Sequence, residues 1–276
     1  MLKSILKTNE ALFAALYEEN YTSYVLSSNQ LTYIEEACEI LEYFEQVTIR
    51  ISGEKYGTSA LTIPSILLLL NITSENQDDS DFKKTFKAVI HNKIKFYNQK
   101  YQLLNNDNLA LASFTNPFYK KFTKGIEDER KDLIQRASKC VEDYYLINVN
   151  KFQKPQSHAI TEDDHIYSKK LVTLSDDSDS DNGELNIRLV KKEIKNYINL
   201  PKPDSKTNAV DFWKQNKEKF PVIYDLFLQH HFVSGSSTSS ERNFSDCGEQ
   251  IWDRRNRIST ETVEAIMFLY ENHESL

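Results

Sequence analysis

From residue 2 to about residue 150 the apolar residues recur every three or four positions, and this spacing restricts the chain to helices. Leu2, Ile5, Leu6, Leu12, Phe13 and Leu16 share one stripe. Leu31, Ile34, Ala37, Cys38, Leu41, Phe44 and Ile51 share a second, with Asn29 ahead of it as a cap. Further helical segments are expected at 60–72, 81–103 and 126–148. In the segment 81–103, Phe82, Phe86, Val89, Ile90, Phe96 and Tyr97 supply the apolar face. Ser52-Gly53 and Gly57 interrupt the pattern, and Asn116-Pro117 marks a turn inside ALASFTNPFYK. With 6 glycines and 6 prolines in 276 residues, the chain is too poor in turn formers for a large β domain. The expected fold class is all-α.

The formal net charge of −7 argues against an autonomous, non-specific nucleic-acid binder, so DNA contact is expected to be indirect or weak. Arg254, Arg255 and Arg257 form a local basic cluster with two readings. They are phosphate contacts, or they sit in a solvated loop and pair with Glu249, Asp253 or Glu261. Cys38, Cys140 and Cys247 stand far apart with no zinc spacing, which fits a reducing compartment and no metal site or cofactor. The longest apolar run, ALTIPSILLLL at 60–70, is too short to span a bilayer. It reads as a core helix with Pro64 in its first turn. No membrane association and no small-molecule substrate are expected.

Three parts follow. Residues 1–150 are a helical domain. Residues 151–184 are an acidic Ser/Asp-rich linker whose run LSDDSDSDNGE buries too little surface to order itself; Ser175, Ser178 and Ser180 lie beside aspartates and suit an acid-directed kinase. Residues 185–276 return to helices. One is ended by Pro201, two short ones are split at Pro221, another begins near Thr238, and a last is capped by Ser259 with Val263, Ile266, Met267 and Tyr270 on one face.

Within STSSERNFSDCGEQIWDRRNRIS, Glu241 has two readings. Thr238 and Glu241 fit a capping box, with Phe244 pointing into the core one turn on. Alternatively Glu241 is one carboxylate of a two-metal site, which requires partner carboxylates that no strand of this chain offers. His230 and His231 end a helix, where their neighbourly positions suit the dipole better than a shared metal. Trp213 and Trp252 are packing residues, and Cys247 a small buried thiol.

The stretch from Asp211 to Asn272 resembles the hAT family of DNA transposases and their domesticated relatives, the zinc-finger BED-type proteins. The resemblance rests on Trp213, Phe220-Pro221, Ser237, Ser240-Glu241-Arg242, Phe244-Ser245, Gly248, Arg255-Asn256-Arg257-Ile258 and the apolar stripe 263–270. It covers about the last 70 residues. More weakly, 1–150 resembles the family's helical insertion domain, with Thr115-Asn116-Pro117 standing where members often carry Leu-Asp-Pro.

The resemblance implies the C-terminal part of an RNase H-like transposase fold whose strands are absent here: an insertion-type domain plus a C-terminal dimerisation region. It maps the third catalytic carboxylate onto Glu241, as a vestige, because the two aspartates and the BED finger lie upstream in the family. The expected function is therefore a dimerisation or interaction module of a transposable-element-derived protein without catalysis of its own. The alternative is a C-terminal fragment of an active transposase, which cleaves DNA and transfers strands with metal ions. The expected partner is a second copy or a related hAT-derived protein, met through Trp213, Leu226, Phe227, Phe244, Ile266, Met267, Phe268, Leu269 and Tyr270. The expected location, carried over from the family, is the nucleus.

Overall fold

The structure is a computed structural model that describes residues 1–53, 56–152, 181–204, 206–250 and 258–272. Every regular element among them is helical. In chain order they are α1 (Leu2–Glu18), α2 (Ser28–Ile51), α3 (Ser59–Ile72), α4 (Asp81–Tyr101), α5 (Asp107–Thr115), α6 (Glu127–Ile147), a single turn α7 (Val149–Phe152), α8 (Asp181–Asn199), α9 (Ala209–Asn216), α10 (Pro221–His230), α11 (Thr238–Gln250) and α12 (Thr260–Asn272). Most of the expected acidic linker, with Ser175, Ser178 and Ser180, lies outside the described residues. No helix among the described residues is long and apolar enough to cross a membrane.

The helix expected at 60–72 is α3, but it starts at Ser59, so Pro64 falls inside it rather than in its first turn. A proline there removes the N–H that would reach the carbonyl of Ala60. That carbonyl is buried, and the Ser113 hydroxyl of α5 donates to it at 3.0 Å. The second stripe forms α2, and its cap is Ser27 rather than Asn29. Ser27 and Gln30 close a capping box two residues earlier. The first stripe forms α1, which buries no residue completely and leaves Leu12 and Phe13 exposed. Exposed ion pairs lace this outer layer, Lys3 to Glu45 at 3.0 Å and Lys83 to Glu39 at 2.7 Å.

α5 starts at Asp107 and runs into ALASFTNPFYK, where only a turn was expected. Ala110 through Thr115 are all buried, between α3, α6 and α10. The turn itself is where it was expected: Asn116 Oδ1 accepts from the Phe118 N–H, and Asn116 O from Tyr119 and Lys120. The last carbonyls of a helix lack intrahelical donors. Here the Tyr197 hydroxyl donates to both Phe114 O and Thr115 O at 3.0 Å, and the Trp213 indole N–H donates to Thr115 O at 3.1 Å.

Tyr197 and Trp213 thereby bring α8 and α9 onto the N-terminal helices. One apolar core includes Ile63, Phe114, Val141, Tyr197, Trp213 and Phe227, so the expected regions 1–150 and 185–276 share it. Its aromatic centre is tight, with Tyr197 stacked on Trp213 at 5.4 Å and Phe114 edge-on to Tyr197 at 5.6 Å. Glu193 of α8 replaces a missing cap on α10, whose N-cap position holds Phe220. Its Oε1 accepts from the N–H groups of Val222 and Ile223, both at 3.0 Å. Burial pushes the Glu193 carboxyl up to about 7, against the pull of those two bonds.

Lys120 is buried with the core. Its Nζ donates to Tyr197 O at 2.8 Å and lies 4.6 Å from the Tyr197 ring centre, and burial pulls its pKa down to about 8. Between pH 8 and 10.5 the unfolded chain keeps this proton and the folded chain has lost it, so folding gains stability as pH rises through that window. The gain is at most about 1.4 kcal/mol per pH unit. Urea unfolding at pH 7 to 10 should show this rise, and Lys120→Met should flatten it; Tyr197 O keeps its Leu200 N–H. Ser113→Ala should lower unfolding free energy by about 1–3 kcal/mol, because it strands the Ala60 carbonyl beside Pro64.

Candidate association surface

The chain from α8 onward divides into a buried half and an exposed half. In the buried half, α8, α9 and α10 take part in the core just described. Asp225 of α10 accepts from the Tyr144 hydroxyl of α6 and pairs with Lys151 at 2.7 Å, which fixes α10 against the end of α6. Trp213 is 1% exposed, and Leu226 and Phe227 are equally sealed. These three were expected to meet a partner. The structure corrects that: Trp213 packs on Tyr197, Phe220 and Tyr224, Phe227 stacks on His231, and Leu226 lies in the same core.

The Ser-rich connection after α10 docks on the start of α3. Ser59 N–H donates to Val233 O at 3.1 Å, and Ser59 Oγ to His230 O at 3.0 Å. Gly235 N–H donates to Thr58 Oγ1 at 2.8 Å. The backbones are so close here that a Cβ on Gly57 would stand 1.3 Å from His231 O, which leaves glycine as the one residue that fits. Burial lowers the pKa of both histidines. His231 stacks on Phe227 at 4.3 Å, with its Nδ1 buried and unbonded. A cleft of about 770 Å³ opens beside it, between Arg50 and Tyr119 on one side and Asn208 and Lys214 on the other.

α11 begins at Thr238, so its cap is Ser237, one residue before the expected Thr238. Glu241 N–H donates to Ser237 O at 2.9 Å, and Ser237 Oγ donates to the Glu241 carboxylate at 2.7 Å. Thr238 instead bonds Ser236 Oγ at 2.6 Å. Glu241 is exposed in this first turn, and its neighbour Arg242 donates to Ser52 O at 3.4 Å, tying α11 to the end of α2. Among the described residues no group of three His, Cys, Asp or Glu could hold a metal ion.

α12 is capped as expected by Ser259, whose hydroxyl accepts from the Thr262 N–H at 3.3 Å. Backbone and Ser259 hydrogen bonds hold the Glu261 carboxyl below the usual range. α11 and α12 pack against each other as a hairpin. Phe244 was expected to enter the core in the capping-box reading; it is 77% exposed instead. Ile266, Phe268, Leu269 and Tyr270 are also exposed, Met267 is half-buried and Val263 is buried. Phe244, Cys247, Glu264, Met267 and Phe268 line a shallow groove of about 490 Å³ between the two helices. Cys247 and Glu264 were missed as groove residues, although Cys247 stands one turn after Phe244 and Glu264 one turn before Phe268. Arg254, Arg255, Arg257 and Trp252 lie outside the described residues.

The exposed and buried sets are separable by mutation. Trp213→Phe loses the bond to Thr115 O and leaves a gap, which should cost on the order of 2–4 kcal/mol of stability in a urea titration. Light scattering of the folded variant should give the same mass as the parent, since Trp213 touches no solvent.

Residues 193–273 match the family model for the hAT family C-terminal dimerisation region. The match covers the C-terminal end of α8, which carries Glu193 and Tyr197, and all of α9, α10, α11 and α12. A comparison with curated proteins finds no match. The C-terminal part of this chain, from Glu193 to the end of α12, is thus similar to the dimerisation region of the hAT family.

Proposed function

We propose that this chain is a transposase-derived association module that pairs through the α11–α12 hairpin with a second copy of itself or with the corresponding region of a related hAT-derived protein. The observation that carries the reading is the exposure of Phe244, Ile266 and Leu269 inside a region matched to a dimerisation family. A buried side chain of this size contributes about 2 kcal/mol, so these residues favour contact with a further apolar surface. The Trp213, Leu226 and Phe227 set serves the fold that presents the hairpin.

On this reading the chain acts by association and not by catalysis of its own. Glu241 then serves as part of a helix start, where its carboxylate accepts the Ser237 hydroxyl and favours the positive end of α11. DNA is reached through the partner, and the nucleus is the place of action. Glu241→Gln is accordingly expected to leave the association unchanged.

Light scattering over a concentration series tests the reading. The parent chain should exceed the monomer mass and rise with concentration. The double variant Phe244→Asp, Leu269→Asp should stay monomeric with unchanged helical circular dichroism. A parent that remains monomeric at every concentration overturns self-association.

A further inference from the structure

α4 carries a second surface whose charge is opposite to that of the hairpin. Its first half is tied down by ion pairs, Lys83 to Glu39 and Lys87 to Asp79 at 2.5 Å. Its second half, residues 92–101, contains Lys93, Lys95 and Lys100 and no acid. None of these three forms an ion pair among the described residues. Ile94 and Asn98 face inward, half-buried, while Lys93, Phe96, Tyr97 and Lys100 are exposed at helical spacing along the outer side. Tyr97 and Tyr101 stack in parallel at 6.3 Å, and Lys100 lies over the Tyr101 ring at 5.1 Å. This is an aromatic stripe flanked by cations in a chain of net charge −7.

The α11–α12 hairpin is its complement. From Ile258 to Asn272 the charged residues are all acidic, Glu261, Glu264 and Glu271, and Glu264 lines the apolar groove beside Phe244 and Phe268. A symmetric contact of α12 with its own copy brings the exposed Glu261 and Glu264 carboxylates toward those of the copy, which weakens binding. A contact of α12 with α4 sets them against lysines.

We propose that the groove between α11 and α12 receives the outer stripe of α4 from a second copy of this chain, with Phe96 or Tyr97 in the groove and Lys93 and Lys100 beside Glu264 and Glu261. This rests on the self-association reading above and names the surface that the hairpin meets. Such a contact joins two different surfaces, and a pair related by a twofold axis makes it twice, each copy's α4 lying in the groove of the other.

The test is charge reversal followed by light scattering at low and high salt. The variant Lys93→Glu, Lys100→Glu should weaken association about tenfold or more, and so should Glu261→Lys, Glu264→Lys. All four changes in one chain should restore it, and salt should weaken the parent. All these residues are exposed, so helical circular dichroism should match the parent, and the urea midpoint should fall only in the variants that carry Glu261→Lys, which lose the carboxylate at the start of α12. If the lysine variant keeps the parent mass while Phe244→Asp, Leu269→Asp is monomeric, the α4 contact is overturned and the hairpin pairing stands. If the lysine variant keeps that mass but loses binding to a fluorescent single-stranded oligonucleotide, the stripe serves nucleic acid and the contact is again overturned. A monomeric parent overturns both.

Discussion

The carbonyl of Thr115 receives a hydrogen bond from the Trp213 indole and another from the Tyr197 hydroxyl, and the joining of the two halves of the chain depends on them. A helix end is a poor thing to bury, because its last carbonyls lack donors. α5 nevertheless ends in the middle of the core, with Phe114 and Thr115 fully sealed. The same short helix also supplies Ser113 to the gap that Pro64 leaves in α3. Each of these carbonyls would cost about 1–3 kcal/mol unmet. The family-matched region is thus more than an appendage on the N-terminal helices. Its first half completes their hydrogen bonding, and neither half has a full core alone.

That arrangement separates stability from association inside one family-matched segment. Tyr197, Trp213, Leu226 and Phe227 are spent on the fold, and Phe244, Ile266 and Leu269 remain outside it. The connection between the two sets is held by three hydrogen bonds between residues 58 and 59 and residues 230 to 235, one of them backbone to backbone and two through the hydroxyls of Thr58 and Ser59. Gly57 lets the backbones meet there without a side chain between them. The direction in which α11 leaves the body follows from this contact and from the Arg242 bond to Ser52.

The long helices were legible because their apolar stripes are long and one-sided. α5 was not, because ALASFT is buried on all sides and so shows no stripe, and nine residues are too few for a period to emerge. Cap positions slipped by one or two residues for a related reason. In Ser27-Ser28-Asn29 and Ser236-Ser237-Thr238 several adjacent side chains can cap, and only the packing of the preceding loop selects one. The hairpin residues were named from sequence as apolar and in excess, but burial could not be divided among them. Trp213 and Phe244 are both large, apolar and part of the family pattern. What distinguishes them is that Trp213 faces Tyr197, a residue sixteen positions away that only the fold brings close.

Charge adds a constraint that hydrophobicity alone cannot. Apolar surface is non-directional: Phe244 and Leu269 would gain as much against one apolar face as against another. An acidic chain repels its copies in most orientations, and the repulsion is smallest where a cationic surface meets the carboxylates. The second half of α4 is where this chain gathers exposed lysines without acids, and it carries exposed aromatics at the same spacing. Apolar burial then supplies the affinity, and the lysines select the orientation in which it is realised.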